Sequence, residues 1–219
     1  MTGALLLERA GRDLDAQTRV VLGDPAESLV DIADEEKADL LVVGARGHRG
    51  LAAALLGSVS QRLAVTAGCP VLIVPPGAGE RFLLEAGTDA RIVCGVDGSE
   101  ESRRALAVAE RLAKRLGAEV DPVFVDPVRG WHDAPPLPLR VEVGDPVHEL
   151  REQGSWVGVR MIAVGSRGHG PVRRALLGSV SAGLAASAPC PVLVVPPTAA
   201  SLEAAGPPAQ ASISPRRIA

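Results

Sequence analysis

A doubly wound α/β fold on a parallel sheet, present as a tandem duplication with an incomplete first copy, is predicted by three features of the 219-residue chain. Hydrophobic residues make up 47% but aromatics only 2%, so any core is built from Val, Leu, Ile and Ala, as suits central strands buried on both faces. Aliphatic runs alternate with helix-periodic segments, the pattern of a parallel sheet with crossover helices. "GARGHRGLAAALLGSVS" (44–60) returns as "GSRGHGPVRRALLGSVS" (165–181), an offset of 121 that also carries Gly23-Asp24-Pro25 onto Gly144-Asp145-Pro146 and Pro75-Pro76 onto Pro196-Pro197.

The second copy shows the fuller unit. "RIVCGVD" (91–97) reads as a strand ending in Asp97. "GSEESRRALAVAERLAKRLGA" follows as a helix, with Ala105, Leu106, Ala109, Leu112, Ala113 and Leu116 at helical spacing, Ser99 as N-cap and Gly117 at the end. "EVDPVFVD" and "LRVEVG" read as strands, and "DPVHELREQGSWVG" as a helix capped by Asp145 with Pro146 at its first position. "RMIAVG" is a strand, "SVSAGLAASA" a short helix and "CPVLVVPP" a last strand stopped by prolines. The chain then divides into an incomplete unit at 1–76, a linker at 77–90, a full unit at 91–197, and a small, polar, Pro-rich tail at 198–219 expected to be disordered.

The formal net charge of -3 argues against nucleic acid, whose backbone needs clustered positive charge. No apolar run approaches a membrane span and the first residues do not form a signal peptide, so a cytoplasmic protein without a membrane partner is expected. Three cysteines are too few for a disulfide framework; Cys69 and Cys190, each ahead of "PVL", read as buried small hydrophobes.

In doubly wound sheets ligands bind beyond the carboxyl ends of the strands where strand order reverses. Asp97 and Gly165 both end strands and are expected at that crevice. Gly165 and Gly168 open a loop after a strand, where missing side chains admit a ligand to the backbone and allow positive φ. Gly178-Ser179 enters a helix whose free amides attract phosphate, with Ser179 and Ser181 adding hydroxyl donors. The first copy repeats this phosphate half through Gly44, Gly47, Gly57, Ser58 and Ser60.

G-x-x-G, nine residues, then G-S, preceded by an aliphatic strand and followed by "VS" and "CPVLVVPP", resembles the universal stress protein family over 91–197 and, in part, 1–76. The resemblance implies a flavodoxin-like or Rossmann-like domain, commonly dimeric, that binds ATP, with or without Mg. It implies that Asp97, with Gly98 and Ser99 beside it, and the backbone around Val125 hold adenine and ribose. Gly165, Arg167, Gly168, Gly178, Ser179, Val180 and Ser181 would surround ribose and phosphates. The first copy begins at the helix before the third strand of that pattern and has no counterpart of Asp97, which leaves its third strand without its usual neighbour. Either the sheet closes up, a partner chain fills the gap, or the recorded start is not the natural one. In the second copy "PVRGWHDAPPLP" replaces a helix and is expected to leave a crevice wall open.

Structural alternatives stand beside each of these roles: turn and cap duty for the glycines, helix capping for Asp97, a solvated loop for His48, His169, Arg167, Arg173 and Arg174, and local packing for Trp131 and Trp156. Enzyme signatures are weak. There is no G-x-x-x-x-G-K-[ST], no metal-ligand spacing, and "GSVSAG" is not a nucleophile elbow. "VDGSEES" is loosely similar to the phosphate loop of adenylating α-hydrolases, over too short a stretch to support that class. The expectation is an ATP-binding regulator or sensor in stress response with an unidentified protein partner, without efficient catalysis. A nucleotide-free interaction module and a slow ATPase or adenylating enzyme are the alternatives. "CPVLIVPP" and "CPVLVVPP" are expected to pair, either with each other as an internal pseudo-dimer or with a second copy in a homodimer.

Overall fold

The computed structural model describes residues 17–47, 56–78, 89–127, 139–168 and 176–199. The expected helix at the start, most of the linker and the Pro-rich replacement segment, nearly all of the tail, and His48, His169, Arg173, Arg174 and Trp131 lie outside these residues. In chain order the elements are α1 (Pro25–Glu35), β1 (Leu41–Gly44), α2 (Ser58–Thr66), β2 (Val71–Val74), β3 (Arg91–Gly95), α3 (Glu100–Leu116), β4 (Glu119–Asp126), β5 (Arg140–Val143), α4 (Pro146–Gln153), β6 (Val159–Gly165), α5 (Ser179–Ser187) and β7 (Val192–Val195).

Local chemistry sets the helix ends. Asp24 caps α1 by accepting the Ala26 and Glu27 amides at 3.0 Å, and Asp145 caps α4 by accepting the His148 amide at 2.9 Å. Ser99 caps α3, accepting the Ser102 amide at 3.1 Å, and Gly117 ends it at φ 64°, a left-handed position open to glycine. The segment expected as one helix from Asp145 to Gly158 stops at Gln153, and Gly158 at φ 87° turns the chain into β6.

All seven strands form one sheet in the order β1-β2-β7-β6-β3-β4-β5. Numbered within the second unit, β5-β4-β3-β6-β7 is 3-2-1-4-5, a doubly wound order that reverses between β3 and β6. The sheet departs from the expected parallel pattern at one seam: β2 and β7 run antiparallel, with Leu72 opposite Leu193. Equivalent strands of two repeats meeting side by side about a two-fold must run in opposite directions. The seam is tied further by the Thr198 hydroxyl donating to the Ala67 carbonyl at 2.7 Å.

Alternating strand residues feed two cores. Ile92, Cys94, Phe124, Met161, Ala163 and Leu193 meet Ala105 and Ala109 of α3 on one face. Val93, Val123, Val164, Val192 and Val194 meet Leu150 of α4, Leu184 of α5 and Leu63 of α2 on the other. Each fully buried large aliphatic side chain contributes about 1.5–3 kcal/mol.

The first half differs where the sequence is short. Arg19–Leu22, which the offset of 121 places opposite β5, form no strand, and Leu22 is 95% exposed.

Cys69 and Cys190 are buried, as expected for packing residues; Cys94 is buried as well, and none of the three is in a disulfide. Burial pushes the Cys94 thiol up to about 12, so the reactive thiolate is suppressed at neutral pH. Iodoacetamide at pH 8 is therefore expected to leave Cys94 unmodified in the native chain and to label it fully in denaturant. Mass spectrometry of the peptide over 91–103 reads this, and rapid native labelling would show that the α3 face opens.

Candidate functional site

The switch point between β3 and β6 opens into a cavity of about 260 Å³ at the carboxyl ends of the strands. Its size is near the lower end for small-molecule pockets, about 300–1,000 Å³. β3 ends there at Gly95, with Val96 and Asp97 just beyond it, β6 ends in Val164 and Gly165, and α5 brings Gly178 to Ser181. Val123, Phe124 and Val125 of β4, with Pro127, Pro146 and Leu150, form an apolar wall. Of the residues expected from sequence, Asp97, Val125, Gly165, Arg167, Gly168, Gly178, Ser179, Val180 and Ser181 converge on this space.

Gly98 and Ser99 do not line it; they hold Asp97. Gly98 turns the chain at φ 83°, and Ser99 donates its amide (3.0 Å) and hydroxyl (2.6 Å) to Asp97 Oδ1. Ser102, not singled out in the sequence, lies on the cavity, and its hydroxyl donates to the Ser99 carbonyl at 3.0 Å. Asp97 is thus pinned by the turn ahead of α3, whose N-cap is Ser99, and it faces the crevice.

The motif glycines do not take the expected positive φ. Their reason is space. A Cβ on Gly165 would lie 2.9 Å from the Glu101 backbone and Cβ, where α3 begins, and one on Gly168 would lie 2.2 Å from Asp97 Oδ2. At Gly178 it would meet the Ser166 carbonyl and Arg167 Cα at 3.3 Å. The loop that follows β6 therefore seats directly on the β3–α3 turn.

Gly178 is the N-cap of α5 and no side chain caps this end. The Ser179, Val180 and Ser181 amides have no intrahelical acceptor, and they sit at the positive end of the helix. Ser181 differs from the hydroxyl donor expected: it is 3% exposed and donates to the Gly165 carbonyl at 2.6 Å. It fixes helix to strand, leaving Ser179 as the hydroxyl at the cavity.

Gly44, Gly47, Gly57, Ser58 and Ser60 are not part of this cavity; they gather beyond β1 at the start of α2. There the geometry repeats: Gly57 caps α2 without a side-chain cap, and Ser60 donates to the Gly44 carbonyl at 2.7 Å. Trp156 packs locally, with the Arg140 guanidinium 5.2 Å from its ring centre.

A family model for "Universal stress protein family" matches residues 3–75, 90–138 and 132–196. The universal stress protein Rv2005c of Mycobacterium tuberculosis is 31% identical over 214 residues, covering 84% of this chain and 70% of that protein. This chain belongs to the universal stress protein family. Among solved structures, a universal stress protein from Archaeoglobus fulgidus aligns at TM-score 0.64 and 22% identity, over 88% of this chain and 75% of that one. A putative universal stress protein from Pseudomonas aeruginosa aligns at TM-score 0.62 and 14% identity, over 90% and 80%. At these identities the likeness carries the fold alone. Universal stress protein architecture thus accounts for the doubly wound order of the second half. Among the described residues, no helix is long and apolar enough to cross a membrane, and no group of three His, Cys, Asp or Glu could hold a metal ion.

Proposed function

We propose that the second half binds ATP in the β3–β6 crevice and that the protein acts as a nucleotide-dependent regulator or sensor of stress, without efficient catalysis. One observation carries this reading: an uncapped helix start and an apolar pocket with a pinned acid open into the same cavity. Adenine sits against Val123, Val125 and Leu150, ribose hydroxyls donate to Asp97, and phosphates meet the Ser179, Val180 and Ser181 amides beside Arg167. Mg, where it accompanies ATP, rides on the phosphates. Hydrolysis would need a positioned base or activated nucleophile against the γ-phosphate, and no residue in the reading fills that role. Nucleotide binding alters the surface offered to a protein partner.

Calorimetry on the intact chain tests this. The expected result is one ATP per chain, lost in Asp97→Ala and in Gly178→Glu, whose added side chain enters the phosphate cradle against Arg167 and Ser166. No binding by the intact chain would transfer the assignment to a nucleotide-free interaction module, and sustained phosphate release would favour the ATPase.

A further inference from the structure

α3 touches both halves of the molecule. Its first residues stand at the crevice: Ser99 caps it and holds Asp97, and the Glu101 backbone lies 2.9 Å from where a Cβ on Gly165 would be. Its body packs across β3, β4, β6 and β7. The core cluster on that face also takes Leu40 and Leu72 of the first half, and near the end of α3 Arg115 pairs with Asp39 at 3.7 Å. Both partners of that pair are about half exposed, so the pair alone contributes little. α3 turns Ala105, Ala109 and Ala113 to the sheet, one turn apart and all buried. Such short side chains interdigitate little with the strands, so this face holds α3 on the sheet while opposing only weakly a small slide along it. Sliding of packed helices is one of the ways in which proteins pass between states.

The residues after β7 carry α3 onward to the first half. Arg104, which also donates to Glu100 one turn earlier, donates to the Pro197 carbonyl at 2.6 Å. The next residue, Thr198, gives its hydroxyl to the Ala67 carbonyl at 2.7 Å, and Ala67 is the C-cap of α2. Ala199 then enters the α3-side core, with its amide donating to the Pro196 carbonyl at 3.1 Å. A continuous path therefore runs from Asp97 through Ser99, the first turns of α3, Arg104, Pro197 and Thr198 to the end of α2. The path has a direction. By the offset of 121, Gly77 stands where Thr198 does and Ala188, the C-cap of α5, where Ala67 does, and Gly77 has no hydroxyl to give.

We propose that α3 and the strap Pro197–Ala199 couple the crevice to α2, so that a ligand held at Asp97 in the second half tightens the end of a helix in the first. The ligand fixes the turn ahead of α3, α3 settles on its alanine face, and Arg104 and Thr198 pass that position to the Ala67 carbonyl. The second half takes the ligand and the first half displays the result. The choice of ATP as ligand rests on the nucleotide reading, whereas the coupling rests on the path itself.

The test follows hydrogen exchange of the Ala67 amide, which donates to the Leu63 carbonyl at 3.0 Å, in the intact chain with and without saturating ATP, with calorimetry on the same samples. An amide at a helix end exchanges by local fraying, so it reads the cap more than global unfolding. ATP is expected to slow it by about three-fold or more. Thr198→Val keeps the shape and removes the hydroxyl, and Arg104→Leu releases Pro197; each should cut the slowing to under about 1.5-fold while ATP still binds. By reciprocity, their ATP affinity shifts by no more than the factor lost at Ala67. Bound ATP with unchanged exchange at Ala67, or a slowing that survives both substitutions, overturns the proposal. Absence of ATP binding by the intact chain is a failure of the nucleotide reading alone, and urea unfolding then decides the coupling. Ser99→Ala releases the Asp97 turn, and its effect on the unfolding constant should depart from a simple product with that of Thr198→Val by about three-fold or more, since independent sites multiply to within about two-fold. A simple product overturns the coupling.

Discussion

Gly165→Val is expected to destabilise the chain by about 3 kcal/mol and to abolish nucleotide binding, whereas Gly44→Val, at the same motif position of the first half, should stay within about 0.5 kcal/mol of the parent. The contrast rests on neighbours. At Gly165 a Cβ alone lies 2.9 Å from the backbone of Glu101 and 3.0 Å from the Arg167 carbonyl, none of which a rotamer change can relieve. Adding two methyl groups forces α3 away from β6 and moves Asp97 with it. At Gly44 the same side chain enters open space at the end of an edge strand, where a β-branched residue is favourable. Urea unfolding of the two variants reads the difference. Equal losses would mean that something other than the start of α3 excludes a side chain from this position.

Phe124→Ala is expected to cost about 3–5 kcal/mol, the range for truncating a buried phenylalanine. Phe124 is 1% exposed, the largest of the fully buried side chains, and in a chain so poor in aromatics it fills the space between β4 and α3 that aliphatic residues would otherwise share. Since small domains have about 5–15 kcal/mol to lose, the variant should be marginal at 37 °C. Phe124→Leu keeps most of the volume and should cost less than about 1.5 kcal/mol. Because Phe124 also borders the crevice, the leucine variant separates stability from binding: a midpoint near the parent with weakened ATP affinity would place the ring against the ligand. An alanine variant that unfolds with the parent's midpoint would refute the packing account.

The strands were legible because burial on both faces of a parallel sheet leaves uninterrupted aliphatic runs; "EVDPVFVD" is β4 residue for residue. Helix starts were legible because Ser99 and Asp145 announce caps chemically. The direction of β7 against β2 was not, since the same aliphatic strand serves either ladder and only the two-fold relation of the halves decides. The glycines stood out in the sequence, but the positive φ expected of Gly165 and Gly168 is not there: space against the start of α3 and Asp97, far from them in sequence, decides, and no local pattern encodes that contact. The apolar wall was missed for a related reason. Phe124, Pro146 and Leu150 look like ordinary strand, cap and core residues, and they become a pocket only once β4 and α4 are placed side by side. Alternation along "FVD", which sends Phe124 to one core and Val125 to the other, is the one signal that pointed there.

The antiparallel seam has a consequence for mass action. Joining two complementary strand edges on one chain turns their encounter into a unimolecular event, governed by an effective concentration that for short flexible connections is in the millimolar range. Association of the β2 and β7 edges is then independent of how dilute the protein is. A pair of single-unit proteins meeting through the same edges would separate on dilution. This chain should keep Leu72 against Leu193 even at nanomolar concentration.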